Sequence, residues 1–109
     1  MINAKKEFLE HIENRPRVVC AVVKDVHYDN ENKRHRVLYE NYTEVEYNSF
    51  LESLDFVYDD GYGSEYLGGT IWYKDGTYSD RGKYDGSEWW EYHKAPKKPK
   101  KVALEVENE

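Results

Sequence analysis

Four histidines, one cysteine and a loop of carboxylates are the residues of this 109-residue chain with the types to do chemistry. A metal centre needs His, Cys or carboxylate ligands at ligand spacing. His11, His27, His35 and His93 show no such spacing, and Cys20 alone cannot supply a thiolate cluster. His27 and His35 flank a hairpin segment and could face each other across it, yet two imidazoles do not make a site. Cys20 sits in the run Val18-Val19-Cys20-Ala21-Val22-Val23, where an apolar setting disfavours the thiolate, so it reads as a small core residue. Asp59, Asp60 and Glu65 surround a glycine-rich loop and could hold a hard cation or act as paired carboxylates. They lack the ligand alternation and closing glutamate of an EF-hand, and acids in such loops serve turn geometry. Neither Gly61-Tyr62-Gly63 nor Gly68-Gly69 is followed by the Lys-Ser/Thr pair or helix start of a phosphate loop. The expectation is a protein without catalytic residues, metal or cofactor.

What remains is a concentration of rings. Phe56, Tyr58, Tyr62, Tyr66, Trp72, Tyr73, Tyr78, Tyr84, Trp89, Trp90 and Tyr92 fall within Phe56–Tyr92, among eight Asp/Glu and only Lys74, Arg81 and Lys83. Aromatics on a sheet often pack under helices, but a chain this short cannot bury so many completely. Exposed Tyr and Trp provide rigid contact area at low entropic cost and anchor interfaces. Tyr62, Tyr78, Tyr84 and Trp89 are the candidate anchors. Asp59, Asp60, Asp80, Asp85 and Glu88 are the candidate electrostatic partners.

The elements that position these residues follow from period and punctuation. Asn3 caps a helix expected to run to about Asn14, with Phe8, Leu9 and Ile12 as its apolar stripe and Glu7, Glu10 and Glu13 on its polar side; Arg15-Pro16 ends it. The valine run predicts a strand buried on both faces, and residues 34–39 a second strand across the polar connection 29–33. Thr43 with Glu46 forms a capping box, Tyr42 can staple to Tyr47, and Tyr47, Phe50, Leu51 and Leu54 mark the buried side of a second helix. Phe56-Val57-Tyr58 is a short strand. Asp75-Gly76 predicts a type I′ hairpin between strands at 70–74 and 77–79, and Asp85-Gly86 a turn into Ser87–His93. On that last strand Glu88, Trp90 and Tyr92 share one face, and Trp89, Glu91 and His93 the other. The order αββα followed by a meander predicts an α+β fold: about five antiparallel strands with two helices on one face.

Residues 1–93 read as one domain, and 94–109 as an extended Lys/Pro tail that resembles a short nuclear-localisation signal. Residues 1–93 carry 11 Lys/Arg against 19 Asp/Glu, while 94–109 carry 5 Lys against 3 Glu. An acidic body argues against direct binding to nucleic acid and suits a basic partner, although acidity also maintains solubility. No apolar run approaches a membrane span, no secretory signal is evident, and one cysteine fits a reducing cytoplasm.

Three stretches, Phe50–Phe56, Gly69–Thr77 and Tyr84–Tyr92, are short, acidic and rich in Tyr, Asp and Gly. In this style the second half of the chain resembles small accessory proteins of tailed bacteriophages. The resemblance implies a role in host takeover or defence evasion by binding a host protein, and it assigns no residue a role. The leading expectation is a non-enzymatic inhibitor or modulator that occupies a basic surface of a host or defence protein. The alternative is a module that stacks a nucleotide, a single nucleic-acid strand or a sugar on its rings.

Overall fold

Backbone pairing, capping and burial together assemble five main strands under two helices. A computed structural model describes residues 1–26, 34–61 and 65–94. The expected connection 29–33, His27, Tyr62 and the tail from Ala95 onward lie outside the described residues. Among the described residues the order is β1 (Ile2–Asn3), α1 (Ala4–Ile12), β2 (Val18–Asp25), β3 (His35–Leu38), α2 (Glu44–Ser53), β4 (Val57–Tyr58), β5 (Leu67–Tyr73), β6 (Tyr78–Tyr84) and β7 (Ser87–His93). The main sheet is antiparallel throughout, in the order β3-β2-β5-β6-β7, and β1 pairs with β4 in a two-stranded ribbon. This is the expected α+β fold. Among the described residues no helix is long and apolar enough to cross a membrane.

Both caps form as their residues dictate. The Asn3 side chain accepts from Lys6 N at 2.9 Å. Thr43 and Glu46 exchange both bonds of the capping box, and the Tyr42 and Tyr47 rings stack at 5.5 Å across the start of α2. Helix α1 stops at Ile12, before the expected Asn14, with Arg15 N donating to the Ile12 carbonyl. One reading of α1 is corrected. Glu7 does not face solvent with Glu10 but turns inward, because Arg81 waits there as a buried cation.

The valine run is central, so it buries both faces. Ala21 and Val23 join Phe8, Leu38, Phe50, Leu51, Leu54, Ile71, Tyr73 and Trp90 beneath the helices. Cys20 and Val22 lie with Trp72 on the opposite face. An irregularity between Val18 and Cys20 breaks the period of two and sends Val18 to the helix side. Phe8 organises the helix-side core, meeting Phe50 and Trp90 edge-on at 5.5 and 6.2 Å. Arg36 fastens α2 to the sheet: it pairs with Asp25 at 2.7 Å, donates to the Ser53 carbonyl and lies over Phe56.

The hairpin turns divide differently from expectation. Only Gly76 has positive φ at the first turn, so β5 and β6 are joined by a three-residue loop, Lys74–Gly76, and not by type I′. Two sets of bonds hold the longer loop: the Asp75 carboxylate accepts from both Thr77 N and Thr77 Oγ1, and Lys74 N donates to the Arg17 carbonyl. At the second turn Asp85 and Gly86 both have positive φ, 50° and 87°, which is the type I′ pattern.

Candidate binding face

The tight turn at Asp85-Gly86 fixes the register of β6 against β7, and that register decides which side chains meet. Tyr78 lies opposite His93, Asp80 opposite Glu91, and Gly82 opposite Trp89. All six, with Tyr84, fall on the face away from the helices. The intervening pairs Ser79–Tyr92, Arg81–Trp90 and Lys83–Glu88 fall on the helix side.

On the helix side Lys83 stays exposed at the hairpin end, but the charges of Arg81 and Glu88 are locked. Arg81, with a side chain 3% exposed, pairs with Glu88 at 2.7 Å and Glu7 at 3.3 Å and donates to the Tyr58 hydroxyl at 3.0 Å. Tyr58 in turn donates to Glu7 at 2.5 Å, and the guanidinium lies over the Trp90 ring. Glu88 also accepts from the backbone of Tyr66 and Leu67. Burial pushes the Glu7 carboxyl above its ordinary range, with Arg81 pulling it partly back. Glu88 is therefore no surface acid, contrary to the sequence expectation. Sharing the core face with Trp90 and Tyr92, it is spent on Arg81 and two backbone amides.

The opposite face keeps its groups accessible. The Trp89 indole lies over Gly82, where a Cβ would come within 2.6 Å of its Nε1, and the residue stays 36% exposed. Tyr84 is 77% exposed at the hairpin end. Tyr78 stacks on the His93 ring at 4.8 Å. His93 Nε2 lies 2.7 Å from Asp80 Oδ1 and 3.6 Å from Glu91 Oε2, and Trp89 Nε1 donates to Glu91 Oε1 at 3.5 Å. The sequence placed Trp89, Glu91 and His93 together but missed that Asp80 joins them. The signal was available: a two-residue turn at 85–86 pairs 84 with 87 and therefore 80 with 91.

The other expected site residues are apart from this cluster. Asp85 is exposed in the turn itself. Asp59 accepts from Gly61 N, and the Asp60 carbonyl accepts from Glu88 N, which places this loop along the open edge of β7. The Asp60 carboxylate lies 4.0 Å from the N-terminal amine.

Two arrangements set reactive residue types in buried surroundings. His11 Nε2 lies 2.8 Å from Ser79 Oγ, the contact of a serine nucleophile with its base. Ser79 is fully buried, with the Tyr73 hydroxyl also 2.8 Å from its oxygen. Burial, helped by Arg15 and Arg81, lowers the His11 pKa to about 4. Burial likewise pushes the Cys20 thiol up to about 12, with Glu40 adding to it, leaving no thiolate at neutral pH.

Beside a small hollow of about 350 Å³ that includes Asp80, two larger ones open. A groove of about 820 Å³ runs along α2 and is lined by Arg34, Arg36, Asn48, Glu52 and Phe56 among others. A second, of about 580 Å³, surrounds the β6–β7 turn and includes Tyr84 and Asp85. Tyr78 and Trp89 line neither.

Comparison with protein-family models, with curated proteins and with solved structures finds no match to this chain.

Proposed function

We propose that the protein is a non-enzymatic binding protein that engages a basic surface of a protein partner through the helix-free face of β6 and β7. The observation that supports this reading is the common placement of Tyr78, Asp80, Tyr84, Trp89 and Glu91 on that face, with rings and carboxylates interleaved. Rings give such a contact its area, and the carboxylates give it charge complementarity and salt sensitivity. The resemblance to phage accessory proteins points to a host or defence protein as the partner, and occupying its basic surface would inhibit or redirect it. A partner surface is favoured over a stacked small ligand because Tyr78 and Trp89 lie on a sheet face and line none of these hollows.

The test is affinity capture of the tagged protein from bacterial lysate at low and high salt, read by mass spectrometry. The reading expects one protein enriched at low salt, released at high salt, and lost with Trp89→Ala or Asp80→Asn. A control change on α2, Glu52→Gln, should leave capture intact. Capture that survives Trp89→Ala and Asp80→Asn, or that ignores salt, contradicts it.

A further inference from the structure

We propose that Asp80, Glu91 and His93 form a site for a divalent transition-metal ion of the Zn²⁺ type. The donor set is one imidazole nitrogen with two carboxylate oxygens, and all three donor atoms lie within 4.8 Å of one another. Imidazole selects for transition metals, whereas Ca²⁺ asks for six to eight oxygens. A tetrahedral ion with bonds of about 2.0–2.1 Å holds its donors about 3.3 Å apart. The separations from His93 Nε2, 2.7 Å to Asp80 and 3.6 Å to Glu91, lie on either side of that value.

The backbone supplies the pre-organisation. Asp80 and Glu91 are direct cross-strand partners, and His93 is two residues along the same strand as Glu91, on the same face. Two carboxylates directly opposite each other on a sheet repel, and a cation between them removes that cost. The surrounding groups fix the ligands: the Tyr78 ring stacks on His93 with an interplanar angle of 20°, and Trp89 Nε1 donates to Glu91. Three protein ligands leave a fourth position for water or for a donor from a partner. The site shares Asp80 and Glu91 with the proposed binding face, but metal titration needs no partner, so either reading can fail without the other.

The experiment is calorimetric titration of the tag-free full chain with Zn²⁺ and, separately, Mg²⁺. Long-range ¹H–¹⁵N spectra of the histidine rings would report where the ion binds. The proposal expects one equivalent of Zn²⁺, a shift of the His93 ring signals, and no comparable binding of Mg²⁺. Asp80→Asn, Glu91→Gln and His93→Ala should each weaken binding by about tenfold or more, with unchanged circular dichroism, while His35→Ala should not. Absence of saturable Zn²⁺ binding, or binding that persists in His93→Ala and Asp80→Asn, would overturn it.

Discussion

The two faces of the β6–β7 hairpin carry similar residues to opposite ends. Each face gathers a tryptophan, two carboxylates and a cationic or basic nitrogen, the second carboxylate of the helix side being Glu7 from α1. On the helix side Trp90, Glu7, Glu88 and Arg81 are sealed beneath α1 and bonded to one another. On the other side Trp89, Asp80, Glu91 and His93 form a similar set that remains half exposed, with Asp80 and Glu91 side chains 42% and 50% accessible. Location decides what the chemistry does. Buried and paired, the groups hold α1 to the sheet; accessible, they stay available to a partner or an ion. A buried ion cluster contributes to stability mainly by what breaking it would leave unpaired.

The sharpest way to break this contrast is Arg81→Met, which leaves Glu7 and Glu88 buried without their cation. It should destabilise the fold by about 3–5 kcal/mol, read as a lowered urea midpoint. Adding Glu7→Gln and Glu88→Gln should recover part of the loss, because the stranded charges are then gone. No recovery would mean that the guanidinium matters for packing over Trp90 more than for charge. The adjacent tryptophans give the next test. Trp90→Ala should cost about 3 kcal/mol or more by opening a cavity against Phe8, whereas Trp89→Ala should cost well under half of that. Equal costs would erase the distinction between the faces.

A smaller effect is expected from pH. His11 titrates near 6.5 when unfolded and near 4 when folded, so the unfolded chain binds the extra proton between those values. Stability should therefore fall as pH drops from about 6.5 towards 4. Glu7, whose folded pKa is raised, contributes with the opposite sign, so the His11 share is the difference between wild type and His11→Gln. Parallel stability curves for the two proteins would contradict the assignment. The smallest stability change should come from Asp80→Asn, within about 0.5 kcal/mol by thermal melting, although the same substitution abolishes capture of the partner.

Local signals were legible where the cause was local. Asn3, the Thr43–Glu46 box and the Tyr42–Tyr47 staple each act within a few residues, and each formed as read. Period two alone put Trp89 and Trp90 on opposite faces, but which of them is buried came only with the structure, which buries Trp90. The fold class was legible because helix period gives way to strand and turn signals after Asp55. The polar partnerships were not. Arg81 meets Glu7 across 74 residues of sequence, and nothing in α1 distinguishes Glu7 from Glu10 until the sheet beneath is known. Glu88 was read as a surface acid by its type, although its face already placed it with Trp90. The type of the first turn escapes the sequence for a different reason: Asp-Gly occurs at both hairpins, and the Asp75–Thr77 bonds accompany the longer loop at the first. Gly69 was equally silent. Its φ is +143°, and a Cβ there would lie 2.1 Å from the Val22 carbonyl oxygen, a demand set entirely by the neighbouring strand.

The central claim, recognition through the helix-free face, is most directly tested by site-specific photo-crosslinking. A benzoylphenylalanine placed at position 89 would be compared with one at the exposed position 45 on α2, both irradiated in bacterial lysate. The account predicts a discrete protein adduct from position 89 that disappears at high salt, and none from position 45. An adduct formed only from position 45 would contradict it, moving the contact to the groove along α2.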